Sequence, residues 1–324
     1  MLIERENVDF KTSFADGISL EYPQCPNGCL GGDDFVLSGS DLLHNIPGTF
    51  NVVKCRTCFL ERTSPRPTPE TISLYYPTNY EPYQYIQQES STVHSWFTTL
   101  LVNIFRLQNR TLPLMPPGLI LEVGCSSGAY MESVIKDGWD IDGVEFSDIA
   151  ATVARNKGLN VKTGSLETIS LQDNKYDIIA AWMVIEHLHN PVNVLMKLNK
   201  AIKTDGYLVI LVPDSDSLSK MIFKEYSYDL QLPTHLYHFT SKSIQSVLAK
   251  SGWTIEKIHW QRNSNTLLKS LEKWSHDNNK LILLSIAKWI RLSKKASKLR
   301  LILNVLLGIT KLSGRMEIWA RPAK

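Results

Sequence analysis

The chain has 324 residues, 43% of them hydrophobic and 21% charged, which is roughly two domains' worth of ordinary globular protein at about 150 residues per domain. A collagen, a coiled coil and a mini-protein are excluded, and no stretch approaches the roughly 18 consecutive apolar residues of a membrane span. Lys plus Arg is 35 against 32 Asp plus Glu, a net charge of +3 that by itself argues neither for nor against a nucleic-acid partner.

The opening segment, MLIERENVDFKTSF, lacks the apolar core and small-residue cleavage site of a secretory signal. A cytoplasmic location with reduced thiols is therefore expected. Four of the five cysteines fall in the first 58 residues. Cys25 and Cys29 frame Pro-Asn-Gly, Cys55 and Cys58 frame Arg-Thr, and 25 residues separate the two pairs. This is the layout of a structural four-thiolate zinc site, closed to water and substrate; unrelated buried thiols are the alternative. Gly28 suits the first knuckle because it takes positive φ without strain. FVLSGSDLL and TFNVVK between the pairs read as short strands, so residues 1–65 are predicted to form a zinc-ribbon-like domain. So small a core would draw folding free energy from the metal.

Residues 66–115 read as a connector followed by a helix. The Pro- and Tyr-rich stretch carries Tyr75, Tyr76, Tyr80, Tyr83 and Tyr85, which either cap the neighbouring domain's pocket or pack on its surface. Residues 92–108 have apolar residues at helical spacing, and Pro113, Pro116 and Pro117 close that segment.

From residue 116 to 262 strands alternate with helices. LILEV, the turn GCSSG and AYMESVIKDG are a buried strand, a tight turn and a helix ended by Gly138. WDIDGVEF and LNVKTG are the next strands, around the helix SDIAATVARNKG. YDIIAAWMVI is the fourth strand, PVNVLMKLNKAIKTDG a helix ended by Gly206, and YLVILVP the fifth strand. Such alternation predicts an α/β fold with a parallel sheet covered on both faces, whose ligands sit beyond the carboxyl ends of the strands. Read as a dinucleotide fingerprint the turn is poor, because Ser126 stands where a second glycine should admit a pyrophosphate. Glu122 instead offers a carboxylate to a cationic ligand, and Glu145, 21 residues after Gly124, can accept both hydroxyls of a ribose.

LILEVGCSSG, the acid of GVEFS, KTGSLETISLQDNKYDIIAAWMVIEHLHNP, GYLVILVP and LPTHLYHFTSKSIQSVLAKSGW, with a last strand in GRMEIWARP, resemble the class I S-adenosylmethionine-dependent methyltransferases. The similarity is to the small-molecule branch that acts on sugars or on ubiquinone-type precursors. It implies a Rossmann-like seven-stranded sheet in which Glu122, Gly124, Cys125, Ser126 and Gly128 cradle the methionine part of S-adenosylmethionine and Glu145 holds its ribose. The family often has an acid beside the adenine where this chain has Ser165, and Leu166 could pack on the ring.

Methyl transfer to a hydroxyl or carbon acid also needs a proton acceptor, and His is the side chain matched to that near neutrality. His187 is the first candidate, with Glu186 orienting it or contacting substrate. His235 and His238, ahead of a helix that Thr240 could cap, are candidates for substrate binding, for the base or for a structural role.

Residues 263–313 are expected to be a helical insertion before the last core strand at 314–324. Within it, residues 280–312 carry eight Lys or Arg, 19 apolar residues and no acid. One or two amphipathic helices that dock on an anionic membrane or cover a lipid-linked substrate are expected, the alternatives being a dimer contact and an intramolecular lid. The other 291 residues then sum to −5. The expected function is methylation of a small-molecule acceptor, a sugar or lipid-linked glycan precursor, on the cytoplasmic face of the membrane. A quinone or isoprenoid precursor and a zinc-ribbon RNA methyltransferase are the alternatives. Residues 21–64, with three Lys or Arg against five Asp or Glu, make a poor surface for nucleic acid.

Overall fold

The computed structural model describes residues 14–76 and 110–323. Tyr80, Tyr83, Tyr85 and the helix expected at 92–108 lie outside the described residues. The N-terminal unit contains β1 (Leu20–Glu21), β2 (Asp33–Ser40), β3 (Thr49–Cys55), β4 (Glu61–Thr63) and β5 (Arg66–Pro67). β2, β3 and β4 form an antiparallel meander, and β5 returns to pair with β1. Residues 66–76, read from sequence as extended connector, are thus folded into this unit. Tyr75 packs edge-on against Phe50 and donates its hydroxyl to the Pro47 carbonyl at 2.7 Å.

The core follows with β6 (Leu119–Val123), α1 (Ala129–Lys136), β7 (Asp140–Glu145), α2 (Asp148–Asn156), β8 (Asn160–Thr163), β9 (Tyr176–Trp182), α3 (Pro191–Ala201), β10 (Ile202–Pro213) and α4 (Leu218–Phe223). After these come β11 (Tyr237–His238), α5 (Ser241–Lys250), β12 (Trp253–Trp260), α6 (Asn265–Asp277), α7 (Leu281–Leu292), α8 (Ser297–Ile309) and β13 (Arg315–Pro322). Seven strands make one sheet in the order β12-β13-β10-β9-β6-β7-β8, and only β13 runs antiparallel to its neighbours. Both faces are covered, so side chains alternate between two cores. Leu121, Ile179 and Ile210 face one cluster with Leu195 and Val247, while Ile120, Ile178 and Val209 face the other with Met131 and Ala151.

The helix ends follow from local chemistry. Ser147 caps α2 by accepting the Ala150 N–H, Thr240 and Ser243 form a capping box on α5, and Gly138 (φ +89°) follows α1. Gly206 does not end a helix. α3 stops at Ala201, and Ile202 already pairs with Tyr176 in the sheet. A Cβ on Gly206 would meet the Asp177 carbonyl at 2.8 Å, so this glycine serves close strand packing.

The two units share secondary structure. β11, from the segment between α4 and α5, pairs antiparallel with β4 and extends the N-terminal sheet to four strands. Buried Arg66 joins the units again, donating to Glu21 at 2.7 Å, to the Tyr237 hydroxyl at 3.2 Å and to the His189 carbonyl at 3.1 Å. Between β12 and β13 the insertion forms α6, α7 and α8, and no helix among the described residues is long and apolar enough to cross a membrane.

Candidate active site

In the seven-stranded sheet the chain runs outward from β6 through β7 and β8, then returns to start again at β9 on the other side of β6. Strand order therefore reverses between β6 and β9, and the carboxyl ends there frame a crevice. Gly124, at φ +69°, opens the turn after β6; a Cβ there would lie 2.6 Å from Val184 Cγ2. Gly128, at φ +81°, leads into α1, and a Cβ on it would come 2.1 Å from Leu159 Cδ1. Only glycine lets the backbone bend this tightly in both places.

Two acids stand at this turn. Glu122 is buried on β6, and its Oε2 has no hydrogen-bond partner among the described residues. Burial pushes its carboxyl up to about 8, with Arg110 opposing the shift and Glu145 adding to it. The buried Tyr130 hydroxyl and Trp182 indole N–H are also unpartnered, and the Arg110 guanidinium lies 5.8 and 5.9 Å from the centres of their rings. Glu145, at the end of β7, accepts the Ser126 and Ser147 N–H groups at 2.8 Å each. Burial raises its pKa while these amides hold it down. Cys125 is buried beside Gly143, and burial pushes its thiol well up, so it is no thiolate. Ser165 follows β8 and its hydroxyl accepts the Glu167 N–H at 3.2 Å; Leu166 is buried in the core. The buried carboxyl with its unpartnered Oε2 and the glycine cradle fit a ligand carrying an ammonium group and a ribose.

Across the crevice, a single 3-10 turn after β9, Ile185–His187, carries Glu186 and His187. Glu186 is fully buried with both carboxylate oxygens unpartnered, and burial raises it to about 8. His187 Nδ1 lies 2.8 Å from the Thr234 carbonyl and 2.9 Å from the Tyr76 hydroxyl. A carbonyl oxygen only accepts, so Nδ1 carries the proton and Nε2 keeps its lone pair. Burial lowers the His187 pKa to about 4, so the ring is neutral at pH 7. His235 stacks edge-on against it with centroids 4.7 Å apart, and its Nδ1 donates to the Asp229 carbonyl at 2.8 Å. Donor atoms of Glu186, His187 and His235 all lie within 4.8 Å of one another.

His238 is elsewhere in this arrangement. It sits in β11, with Nε2 3.1 Å from the Thr63 hydroxyl, while that hydroxyl donates to the His235 carbonyl at 2.8 Å. The structure thus groups His187, Glu186 and His235 and gives His238 the surroundings of a structural residue. Sequence reasoning missed Tyr130, Trp182, Arg110 and Thr63. Trp182, in a strand read as core, gave no signal, and Thr63 belonged to a domain read as separate.

The four N-terminal thiols converge, with all sulfurs within 4.8 Å of one another and Cys25 and Cys58 only 3.4 Å apart. Gly28, at φ +75°, makes the first knuckle as expected. Four thiols at this spacing suit a closed tetrahedral metal site. A cleft of about 360 Å³ lies apart from both features, between the loop around Leu42, the segment around Tyr228 and helices α6 and α7. It contains none of Glu122, Glu145 or His187. Its size does not make it the reaction site, because the convergent acids and strand ends are elsewhere.

Residues 101–258 match the family model described as a methyltransferase domain. The ubiquinone biosynthesis O-methyltransferase of Hydrogenovibrio crunogenus is 30% identical over 96 residues, covering 28% of this chain and 40% of that protein. An uncharacterized methyltransferase of Schizosaccharomyces pombe is 26% identical over 213 residues, covering 60% of this chain and 71% of that protein. A solved S-adenosylmethionine-dependent methyltransferase from Archaeoglobus fulgidus aligns with a TM-score of 0.44 at 20% identity, covering 69% of this chain and 91% of that one. The chain therefore spans well under two thirds of the ubiquinone biosynthesis relative it matches. Over residues 101–258, just under half of its length, the chain is thus similar to the methyltransferase domain family.

Proposed function

We propose that the chain transfers a methyl group from S-adenosylmethionine to a small-molecule acceptor. The observation that carries this reading is the pair of buried acids, Glu122 and Glu145, on either side of a turn that only glycine can make. Glu122 would pair with the ammonium of the methionine moiety and Glu145 would accept the ribose hydroxyls. Gly124, Cys125, Ser126 and Gly128 would supply backbone at close range, with Ser165 and Leu166 towards the adenine. The bound cofactor supplies an activated methyl group, so the protein's own task is to position the nucleophile and take up its proton. His187, neutral and with its lone pair on Nε2, is placed for proton uptake, and Glu186, buried beside it and mostly protonated at pH 7, would orient it or contact the substrate. The fixed tautomer comes from the Thr234 carbonyl.

The acceptor we favour is a sugar or lipid-linked glycan precursor. A quinone or isoprenoid precursor is the second reading, and the relatives named as ubiquinone biosynthesis O-methyltransferases favour it. An RNA acceptor is disfavoured because all three cations of residues 21–64 are spent on acids: Arg56 on Asp34 at 2.6 Å, Arg62 on Asp33 at 2.5 Å and Lys54 on Glu61 at 3.5 Å. We also infer that Cys25, Cys29, Cys55 and Cys58 hold one structural zinc ion. Incubation with methyl-labelled S-adenosylmethionine and a panel of nucleotide sugars, lipid-linked glycans, quinone precursors and total RNA tests the reading. Label in the glycan or quinone fraction supports it; label in RNA alone overturns it.

A further inference from the structure

Residues 280–312 carry eight Lys or Arg and no acid, and the fold places them on two helices that bury almost nothing. Only Ala287 is buried on α7 and only Leu307 on α8. Leu281, Ile282, Ile286, Trp289 and Leu292 all stand exposed on α7. At about 100° per residue they share an arc of about 140° in which Ser285 is the one polar member. The opposite face is occupied: Leu284, Arg291 and the exposed Lys288 line the cleft, and Arg291 binds both carboxylate oxygens of Glu272 at 2.6 and 2.9 Å. On α8, Leu299, Ile302, Leu306 and Ile309 form a second exposed arc of about 80°.

The eight cations divide into two groups. Arg291 is held by Glu272, Arg300 donates to the carbonyls of Ile290, Arg291 and Ser293 at the end of α7, and the Lys311 ammonium lies 4.9 Å from the centre of the Trp260 ring. Arg300 thus ties α8 to the end of α7, while Arg291 and Lys311 tie the two helices to α6 and β12. Lys280, Lys288, Lys294, Lys295 and Lys298 are exposed, and none has an acidic partner among the described residues. The exposed apolar arcs need a cover, and the five free lysines specify that the cover is anionic. A second copy of this chain would bring like charges together, and nucleic acid would leave Ile282, Ile286 and Trp289 in water.

We propose that α7 and α8 dock on a bilayer surface bearing anionic lipid, with the apolar arcs at the acyl boundary and the five lysines among the headgroups. At 12 and 13 residues each helix is under about 20 Å long, far short of the roughly 30 Å hydrocarbon core, so the hairpin lies in the interface and does not span it.

The test is sedimentation of the full chain with vesicles of phosphatidylcholine and phosphatidylglycerol, against phosphatidylcholine alone, at low and high salt. It needs no turnover, so its outcome stands apart from the methyl-transfer reading. Binding should require phosphatidylglycerol and weaken with salt. Each lysine near an anionic surface contributes about fivefold in partitioning, so the double change Lys294→Ser with Lys295→Ser should weaken binding about 30-fold. Ile286→Glu with Trp289→Glu should abolish it, while the thermal midpoint and S-adenosylmethionine affinity of both variants stay unchanged. Failure to sediment with anionic vesicles overturns the proposal. So does binding that ignores lipid charge and both variants, or lipid-free self-association that Ile286→Glu dissociates in a chain that vesicles do not capture.

Discussion

If Glu122 pairs with the ammonium of S-adenosylmethionine, binding must be coupled to loss of a proton. In the free protein burial holds the Glu122 carboxyl at about 8 against an ordinary 4.5. Between those values the folded chain keeps a proton that the unfolded chain has lost, so this group's contribution to stability falls as pH rises through that window. A cationic ligand reverses the balance by favouring the carboxylate. With a pKa of about 8, about one site in ten is ionised at pH 7 and about one in a hundred at pH 6. Affinity should therefore rise about tenfold between pH 6 and pH 7, or about 1.4 kcal/mol, with release of nearly one proton per site. Titration calorimetry in two buffers of different ionisation enthalpy measures both quantities. Glu122→Gln should flatten the pH dependence and weaken binding at pH 8 on the order of 100-fold, as loss of one partner of a buried charge pair does. A dissociation constant unchanged between pH 6 and pH 7 with no proton release would refute the assignment, as would a slope that survives in Glu122→Gln.

Other residues carry separate expectations. His187→Ala should lower kcat on the order of 100-fold or more while the dissociation constant of S-adenosylmethionine stays put; unchanged turnover would remove His187 from proton transfer. Glu186, raised to about 8 by complete burial, costs the fold about 3 kcal/mol at pH 7 relative to acid pH. Glu186→Gln should recover part of that and flatten the pH dependence of the thermal midpoint between pH 5 and 8, at the expense of turnover. Gly128→Ala forces a Cβ into Leu159 at positive φ and should cost on the order of 2 kcal/mol in stability, read by denaturant unfolding. The native chain should contain about one zinc per molecule by elemental analysis, and Cys55→Ser with Cys58→Ser should lose it together with several degrees of thermal midpoint.

Where periodicity was strong the sequence was legible. β6, β9 and the second half of β10 are apolar runs because both their faces are buried, and the helices α1 and α2 are followed by Gly138 and Gly158, both at positive φ. The cysteine knuckles announced themselves by spacing. What escaped was set by tertiary contact. LNKAIKTDG continues a helical pattern, yet Ile202 gains more from pairing in the sheet than from one further turn of α3. β11 is two residues long and pairs with a strand some 175 positions away, so no local pattern could reveal it. Arg66 looked like a charge in a linker, whereas the structure buries it against Tyr237 and the His189 carbonyl.

These long-range contacts change what the N-terminal unit is for. β4 lies between β3, which ends in Cys55, and β11, which carries His238. Thr63 at its end donates to the His235 carbonyl, and His235 stacks on His187. Tyr76, the last described residue of the same unit, reaches His187 directly. The thiol cluster is therefore joined to the crevice by one short strand and one hydroxyl, with buried Arg66 fixing the two units at a second point. A ribbon that served only as a detachable recognition module would have no reason to bury an arginine and share a sheet with the core. Its geometry is that of a wall: it holds the 234–238 segment against the 3-10 turn after β9, and that contact sets the tautomer of His187. A metal ion held by the four thiols would, by fixing the end of β3 and the turn into β4, act on the reaction through position alone.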